Sequence, residues 1–338
     1  MSVSLKKRTD QDVLVLLATY NGEEYILAQI ESILGQGYPH VQLLIRDDGS
    51  TDNTVKIVED YIRKQAISDI QIVENTTSLK GHKHNFSVLS NLALESDFSY
   101  FCFSDQDDVW HENKVAVQYQ TLSQLESKHN NSTPILVHSD LMVVDQNLEL
   151  LSSSFFTYQG LPDAHSHDFP TFCYQNVVTG CVSFFNRALL TIAAPMPKDV
   201  VVHDWWFALC AKAYGQLEFI DKPLINYRQH AHNAIGATNI ANQRKYMSRY
   251  FIRTLCRFPR NLSNAISQSS ALYEILSVRN KSHSISADSL ILLELFSQAK
   301  QQSLIKRVKS LHLVFNDKRS LGERIYLYFV FIIVGWIK

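Results

Sequence analysis

The chain has 338 residues, 46% hydrophobic and 19% charged, with a formal net charge of −1 at pH 7. That length supports one large core plus a smaller appendage, and the composition excludes a disordered chain. A near-neutral balance makes no case for nucleic acid as a partner.

Five cysteines (Cys102, Cys173, Cys181, Cys210, Cys256) lie mostly in apolar segments with no Cys-x-x-Cys pair, so buried, reduced thiols and a cytosolic compartment are expected. Met1 to Asp12 is polar and lacks the apolar centre of a secretory signal. From Asp12 to about Phe103, short apolar runs alternate with helical periods, the pattern of a parallel sheet covered by helices. Val13 to Ala18 reads as a buried strand, and Glu23 to Leu34 as a helix with Ile26, Ile30, Ile33 and Leu34 on one face. Val41 to Ile45 is a second strand, followed by a turn at Asp47-Asp48-Gly49-Ser50 and a helix from Thr51 with Val55, Val58 and Ile62 inward. Ile70 to Val73 is a third strand, Phe86 to Leu94 a helix, and Tyr100 to Phe103 a fourth strand.

That fourth strand runs into Asp105-Gln106-Asp107-Asp108-Val109-Trp110, which places carboxylates where a buried strand ends. Hard oxygen ligands there suit a Mg²⁺ or Mn²⁺ carrying a diphosphate, although solvated acidic residues are also common in loops. In open α/β sheets the ligand crevice lies at the carboxyl ends of the strands. Thr19-Tyr20-Asn21-Gly22, Asp47-Asp48-Gly49-Ser50 and the Asp105 segment should therefore converge. Neither a Gly-x-Gly-x-x-Gly nor a Gly-x-x-x-x-Gly-Lys-Ser/Thr motif is present, so neutralising the phosphates falls mainly to a metal ion.

Val15-Leu16-Leu17-Ala18-Thr19-Tyr20-Asn21-Gly22, Leu44-Ile45-Arg46-Asp47-Asp48-Gly49-Ser50-Thr51-Asp52 and Phe103-Ser104-Asp105-Gln106-Asp107-Asp108-Val109-Trp110 resemble, in order and spacing, three successive signatures of the family 2 glycosyltransferases. Val178-Thr179-Gly180-Cys181, the run from Met196 to His203-Asp204-Trp205-Trp206, and Tyr227-Arg228-Gln229-His230 are similar to the branch of bacterial rhamnosyltransferases that build cell-surface polysaccharides. The likeness covers roughly residues 12 to 236 and fades beyond. It implies an inverting enzyme of GT-A fold, an α/β nucleotide-diphospho-sugar-binding mixed sheet flanked by helices, with a mainly α-helical C-terminal extension.

The resemblance also implies roles. Tyr20 would lie against the nucleotide base, with Thr19 and Asn21 beside it, and Asp48 would accept a hydrogen bond from a pyrimidine N3–H. Asp47 and Asp48 have an alternative reading as turn and helix-cap residues. Asp107 and Asp105 would hold the divalent cation, Mg²⁺ or Mn²⁺, because two residues one apart on an extended segment face the same side; Asp108 would orient the loop. Asn85 would contact the donor, Arg228 would pair with phosphate oxygens, and His230 would touch the diphosphate or the metal. Thr179 and Gly180 would line the acceptor pocket, and Trp205 or Trp206 would offer a platform to a sugar, with one of the two facing the core. Asp204, at the start of a helical segment from Trp205 to Tyr214, is the candidate base for the acceptor hydroxyl, with an N-cap as the alternative. A helix N-terminus stabilises a carboxylate, so a weakened base is expected. The loop Ser78 to His84 departs from the Gly-containing loop of relatives.

Residues 1–236 are therefore read as the catalytic domain and 237–338 as a helical basic region. Arg244, Lys245, Arg249, Arg253, Arg257 and Arg260 precede a loop around Asn280 to Ser286, and a second basic cluster follows at Lys300, Lys306, Arg307 and Lys309. Lys318, Arg319 and Arg324 then lead into an apolar run from Ile325 to Ile337, too short to span a bilayer, which takes about 20 residues. It fits an interfacial helix on an anionic membrane surface, or a helix packed on the protein's own core or, in a homodimer, on a second subunit. The expected activity is transfer of L-rhamnose from dTDP-rhamnose onto a polyprenyl-diphosphate-linked saccharide, by an enzyme peripheral on the cytoplasmic face of the cell membrane. Another UDP- or dTDP-hexose as donor, a non-catalytic sugar-nucleotide-binding subunit, and a nucleotidyltransferase are the alternatives. The first of these non-transferase readings should not keep both Asp107 and Asp204, and the second should show a phosphate-cradling loop near the N-terminus.

Overall fold

The computed structural model describes residues 3–38, 40–161, 165, 169–173, 175–231, 233, 237, 263–276, 287–298, 303 and 305. The chain divides into two compact units. The first comprises Met1–Ser166, Val177–Met196 and His203–Ile240, and the second His167–Asn176, Pro197–Val202 and Ala241–Lys338.

The first unit is built on a nine-stranded mixed sheet. Strand β1 (Val13–Thr19) is buried along its whole length, as a near-continuous apolar run predicts for a central parallel strand. It lies between β2 (Val41–Asp47) and β4 (Tyr100–Ser104), both parallel to it, and β3 (Ile70–Glu74) extends the parallel set beyond β2. Helix α1 (Ile26–Leu34) buries Ile26, Ile30 and Ile33, each contributing on the order of 1.5–3 kcal/mol of hydrophobic stabilisation. α2 (Thr54–Gln65) buries Val58, and α3 (His82–Leu94) packs Phe86, Leu89 and Ala93 into the core.

Two helices begin later than the apolar period predicts. α1 starts at Ile26 rather than Glu23 because Gly22 to Tyr25 form a turn in which the Gly22 carbonyl accepts from Tyr25 N and Ile26 N. α2 starts at Thr54 rather than Thr51 because the amides of residues 51 and 53 donate to Asn21 and Glu23 side chains instead. α3 begins earlier, at His82.

The second half of the sheet decides where the site forms. After β5 (Val109–Trp110), helix α4 (Lys114–His129), β6 (Ile135–Val144), β7 (Leu150–Ser152) and α5 (Phe155–Gln159), the first unit resumes with a 3₁₀ turn at Gly180–Val182 and β8 (Phe184–Asn186). β8 is antiparallel to β4, with Cys102 opposite Phe184 and Tyr100 opposite Asn186. Continuing that register past the strand end brings the 180–182 turn level with Ser104 and Asp105. Helix α6 (Phe169–Phe172) belongs to the second unit, and α7 (Arg187–Ala193), α8 (His203–Tyr214) and β9 (Gln216–Arg228) to the first. β9 runs parallel to β6 and antiparallel to β5, with Val109 opposite Asn226. The same logic places Arg228 opposite Asp107.

In the second unit, helices over 263–276 and Ala287–Gln298 bury Ala265, Ile266, Leu272 and Leu293, and Gln268 Oε1 accepts from Val201 N at 3.1 Å. Among the described residues no helix is long and apolar enough to cross a membrane. The basic residues from Arg244 to Arg260, the loop 280–286, the clusters at 300–309 and 318–324, and the apolar run 325–337 lie outside the described residues.

Candidate active site

Parallel register brings three loops to one edge: Thr19 pairs with Asp47, and Leu17 with Ser104. Gln106, which no expectation singled out, ties the first loop to the third. Its Oε1 accepts from Thr19 Oγ1 and Tyr20 N, both at 2.7 Å. Asn21 ties the first loop to the second; it sits at a left-handed φ of 49°, accepts from Thr51 N at 2.8 Å and donates its own N–H to Ser50 Oγ at 2.8 Å. An Asn tolerates that backbone well. Tyr20 is left 48% exposed, with Lys80 Nζ 5.7 Å from its ring centre.

The two aspartates of the second loop divide the work. Asp47 Oδ1 accepts from Gly49 N and Ser50 N and holds the turn, while Gly49 takes the left-handed φ of 85°. Asp48 accepts from Arg46 Nη1 at 3.3 Å, Asn75 Nδ2 at 2.9 Å and Gly81 N at 2.6 Å. Those three bonds leave a carboxylate one of its roughly four acceptor positions. Asn85 lies a layer below: only 2% exposed, it accepts from Arg46 Nη1 at 2.9 Å and donates to the Arg46 carbonyl at 3.1 Å. It holds strand ends together and does not reach the crevice.

In the acidic loop, Asp107 Oδ2 meets His230 Nε2 at 2.8 Å and Asn233 Nδ2 at 3.3 Å. Asp105 turns the other way, toward His82 Nε2 at 3.5 Å. Ligand atoms of Asp105, Asp108 and Cys181 lie within 4.8 Å of one another. The expected side-by-side pairing of Asp105 and Asp107 does not occur, because residues 105–108 bend instead of running extended. The two-residue alternation of a strand therefore does not apply, and residues three apart come together. Asp108 is fully buried; its Oδ1 accepts from Arg228 N at 3.2 Å, and among the described residues its Oδ2 receives no nitrogen or oxygen donor. Burial first, and then the charges of Asp107 and Asp105, push the Asp108 carboxyl well above the ordinary range. Burial likewise pushes the Cys181 thiol up, and it hydrogen-bonds the Asp108 carboxyl.

Arg228 spends its donors inward, Nε on the Asp107 carbonyl at 2.8 Å and Nη1 on the Gln146 carbonyl at 2.6 Å, with its guanidinium 4.6 Å from the Tyr25 ring centre. It braces the acidic loop and is 5% exposed, so the structure does not direct its fork at a phosphate. The donor set still fits a hard divalent cation. Asp107 and His230 bring a carboxylate and an imidazole together, and Asp108 adds a buried oxygen with no nitrogen or oxygen donor among the described residues.

On the acceptor side, Asp204 is the second residue of α8. Its Oδ2 accepts from Gly180 N at 3.0 Å and its Oδ1 from Trp205 N at 2.6 Å. Burial raises its pKa to about 6, outweighing the opposing charge of His82 and the N–H of Trp205. The weakened base expected from a helix N-terminus is therefore corrected: desolvation exceeds the dipole here. His82 stands between the two sides. Burial pulls its imidazole down, but the hydrogen bond and charge of Asp105, followed by the charges of Asp204 and Asp107, leave it raised. His203 is fully buried and stacked on Phe86 at 3.7 Å, and burial holds it well below its ordinary value, as a neutral ring. A Cβ on Gly180 would lie 2.5 Å from His203 Nε2, so only glycine fits there. Thr179 precedes that turn, its carbonyl accepting from Val182 N. Trp205 and Trp206 are 7% and 0% exposed, so neither presents an open platform.

Gln106, His82, His203, Cys181 and Lys114 were missed by motif reading. Gln106, Cys181 and His203 lie inside the quoted motifs without a role of their own, His82 lies in the Ser78 to His84 loop, and Lys114 lies in no motif.

Residues 14–140 match the profile of glycosyl transferase family 2. The chain is 30% identical over 245 residues to the dTDP-rhamnosyl transferase RfbG of Shigella flexneri, covering 68% of this chain and 76% of that protein. It is 27% identical over 213 residues to the putative teichuronic acid biosynthesis glycosyltransferase TuaG of Bacillus subtilis, covering 61% of this chain and 76% of that protein. S. aureus TarS 1-349, solved in complex with UDP-GlcNAc, aligns over 90% of this chain and 89% of that one at 16% identity and a TM-score of 0.49. The sheet order, the three convergent loops and the extent of the sequence match lead to one assignment: the chain belongs to glycosyl transferase family 2, with the GT-A fold.

Proposed function

We propose that the protein transfers L-rhamnose from dTDP-rhamnose, with inversion, onto a hydroxyl of a polyprenyl-diphosphate-linked saccharide during surface polysaccharide assembly, as in O-antigen or capsule. One observation carries the catalytic part. Asp204 holds Gly180 N, and the next residue, Cys181, belongs to the cluster with Asp105 and Asp108, so base and acidic loop flank one turn. The donor rests on the Shigella relative, which is a dTDP-rhamnosyl transferase.

In this reading Tyr20 stacks on the base, and the remaining acceptor position of Asp48 takes the pyrimidine N3–H. Asp107 and His230, which meet, would hold Mg²⁺ or Mn²⁺, which when bound neutralises charge on the departing diphosphate. Asp204, more basic than an exposed aspartate, takes the proton as the acceptor oxygen bonds to the anomeric carbon and the bond to the diphosphate breaks on the opposite face. His82 faces Asp105 and lies in the field of Asp204, which limits repulsion between the carboxylates of the two sides. Thr179 and Gly180 line the acceptor approach. The acceptor's lipid agrees with a peripheral position on the cytoplasmic face of the membrane, through the basic and apolar C-terminal segment.

The test is a donor screen with purified protein, Mg²⁺ or Mn²⁺ and a lipid-like saccharide acceptor, following nucleotide diphosphate release. Release from dTDP-rhamnose above all UDP- and dTDP-hexoses is expected. A preference for UDP-glucose would replace the donor, and no release with any donor would favour a binding subunit.

A further inference from the structure

Lys114, the first residue of α4, is fully buried, and its Nζ lies 3.6 Å from the Trp110 ring centre. Trp110 ends the strand that leaves the acidic loop. The same Nζ donates to Gln118 Oε1 at 2.9 Å, and Gln118 Nε2 donates to the Val182 carbonyl at 2.6 Å. Gln118 is also fully buried. Val182 closes the turn that begins at Gly180, whose N–H is held by Asp204.

A buried amide has two orientations, and its neighbours choose between them. A donor at position 114 fixes Oε1 toward α4 and so presents Nε2 to Val182. Without that donor, Oε1 loses its partner, and a flip would set oxygen against the Val182 carbonyl. Leaving a buried acceptor unpaired is costly, so the turn should shift. Lysine is an unusual choice for a dry interior. Burial lowers its pKa while the charges of Cys102, Cys181 and Asp108 raise it, but the amine donates in either protonation state.

We propose that Lys114 is a positioning residue which, through Gln118 and the Val182 carbonyl, sets the Gly180 turn and thereby the Asp204 carboxylate against the acidic loop. This rests on the reading of Asp204 as the base. Lys114 touches no substrate. The effect belongs in kcat, since the donor loops are tied together by Gln106, Asn21 and Asp48.

The experiment compares Lys114→Met, Gln118→Leu and the double variant, with folding checked by near-UV circular dichroism. Nucleotide binding is measured by calorimetry with dTDP and UDP in Mg²⁺. A fall in kcat of tenfold or more is expected for each single variant, with nucleotide Kd within threefold of the parent. The double variant should be no slower than the slower single, because both changes break one chain. A folded Lys114→Met with kcat within threefold of the parent overturns the proposal, as do an equal loss in nucleotide binding or losses that multiply. If neither single variant folds, Lys114 is a core residue alone and the proposal fails. Full turnover by Asp204→Asn would overturn the base reading and this proposal together. An inactive Asp204→Asn beside a fully active Lys114→Met overturns the proposal alone.

Discussion

Asp48 and Asp204 are the same residue type, one just past the end of β2 and the other in the first turn of α8, and they are treated differently. Asp48 ends among a guanidinium, a side-chain amide and a backbone N–H, a setting that fixes an anion in place. Asp204 accepts from two backbone N–H groups and is raised by burial to about 6, a setting that leaves it eager for a proton. Asp48 is the less exposed of the two, at 4%, so what separates them is the number and charge of the donors around each carboxylate. On the proposed reading, the first setting suits binding and the second suits proton transfer.

The largest expected effect tests the acceptor side. Asp204→Asn should lower kcat by about 10²–10⁴-fold, the usual worth of a general base, with calorimetric dTDP or UDP affinity unchanged. Turnover near the parent value would erase the contrast between the two aspartates. On the donor side, Asp107→Asn should instead weaken nucleotide binding about 10- to 100-fold in the presence of Mg²⁺ or Mn²⁺, and the difference between the two variants should vanish when the cation is chelated.

Gly180→Ala sharpens the comparison by moving the turn without touching a charge. Its Cβ meets His203 Nε2 at 2.5 Å and Asp204 Cβ at 3.6 Å, so kcat should drop about tenfold or more while nucleotide Kd stays put. A pH profile follows from Asp204 itself. Below about pH 6 the carboxyl is protonated and cannot take the hydroxyl proton, so kcat/KM should fall tenfold per pH unit there and level off above. The sign for stability is the reverse. The folded chain holds this proton more tightly than the unfolded one, whose aspartate titrates near about 4, so stability drops as pH rises from that value through about 6. Asp204→Asn should remove that pH dependence of Tm, while losing one of the two accepted N–H bonds, because an amide has one acceptor oxygen where the carboxylate uses two. The smallest effect on turnover belongs to Asn85→Ala, which strips a partner from Arg46 beneath the site; a loss of about 1–3 kcal/mol in denaturant stability with near-normal kcat per folded molecule is expected.

The donor half was legible because its determinants are local. Apolar runs of four to eight residues mark buried strands, and Asp-Gly-Ser-Thr-Asp carries its own turn chemistry. Strand limits came within two residues, the helix over 26–34 starts late because of a backbone turn at Gly22 to Tyr25, and the helix over 54–65 starts late where first-loop side chains bind second-loop amides. Asp107 and His230 were grouped and do meet. Asn85 and Arg228 were assigned to the donor, but their burial and inward bonds give them bracing roles. A polar residue near a motif reads the same whether it faces the ligand or the strands below.

By itself the sequence determined a parallel half-sheet, three loops at its carboxyl edge and a carboxylate at a later helix start, because strand period, turn residues and caps act over a few neighbours. Only the tertiary structure decided which carboxylates share a space. The antiparallel returns of β8 and β9 bring residues 180–182 and 228–230 to the acidic loop, and no pattern along the chain encodes that register. Burial then set the proton affinity of Asp204, since desolvation depends on everything packed around a group and not on the residues beside it in sequence.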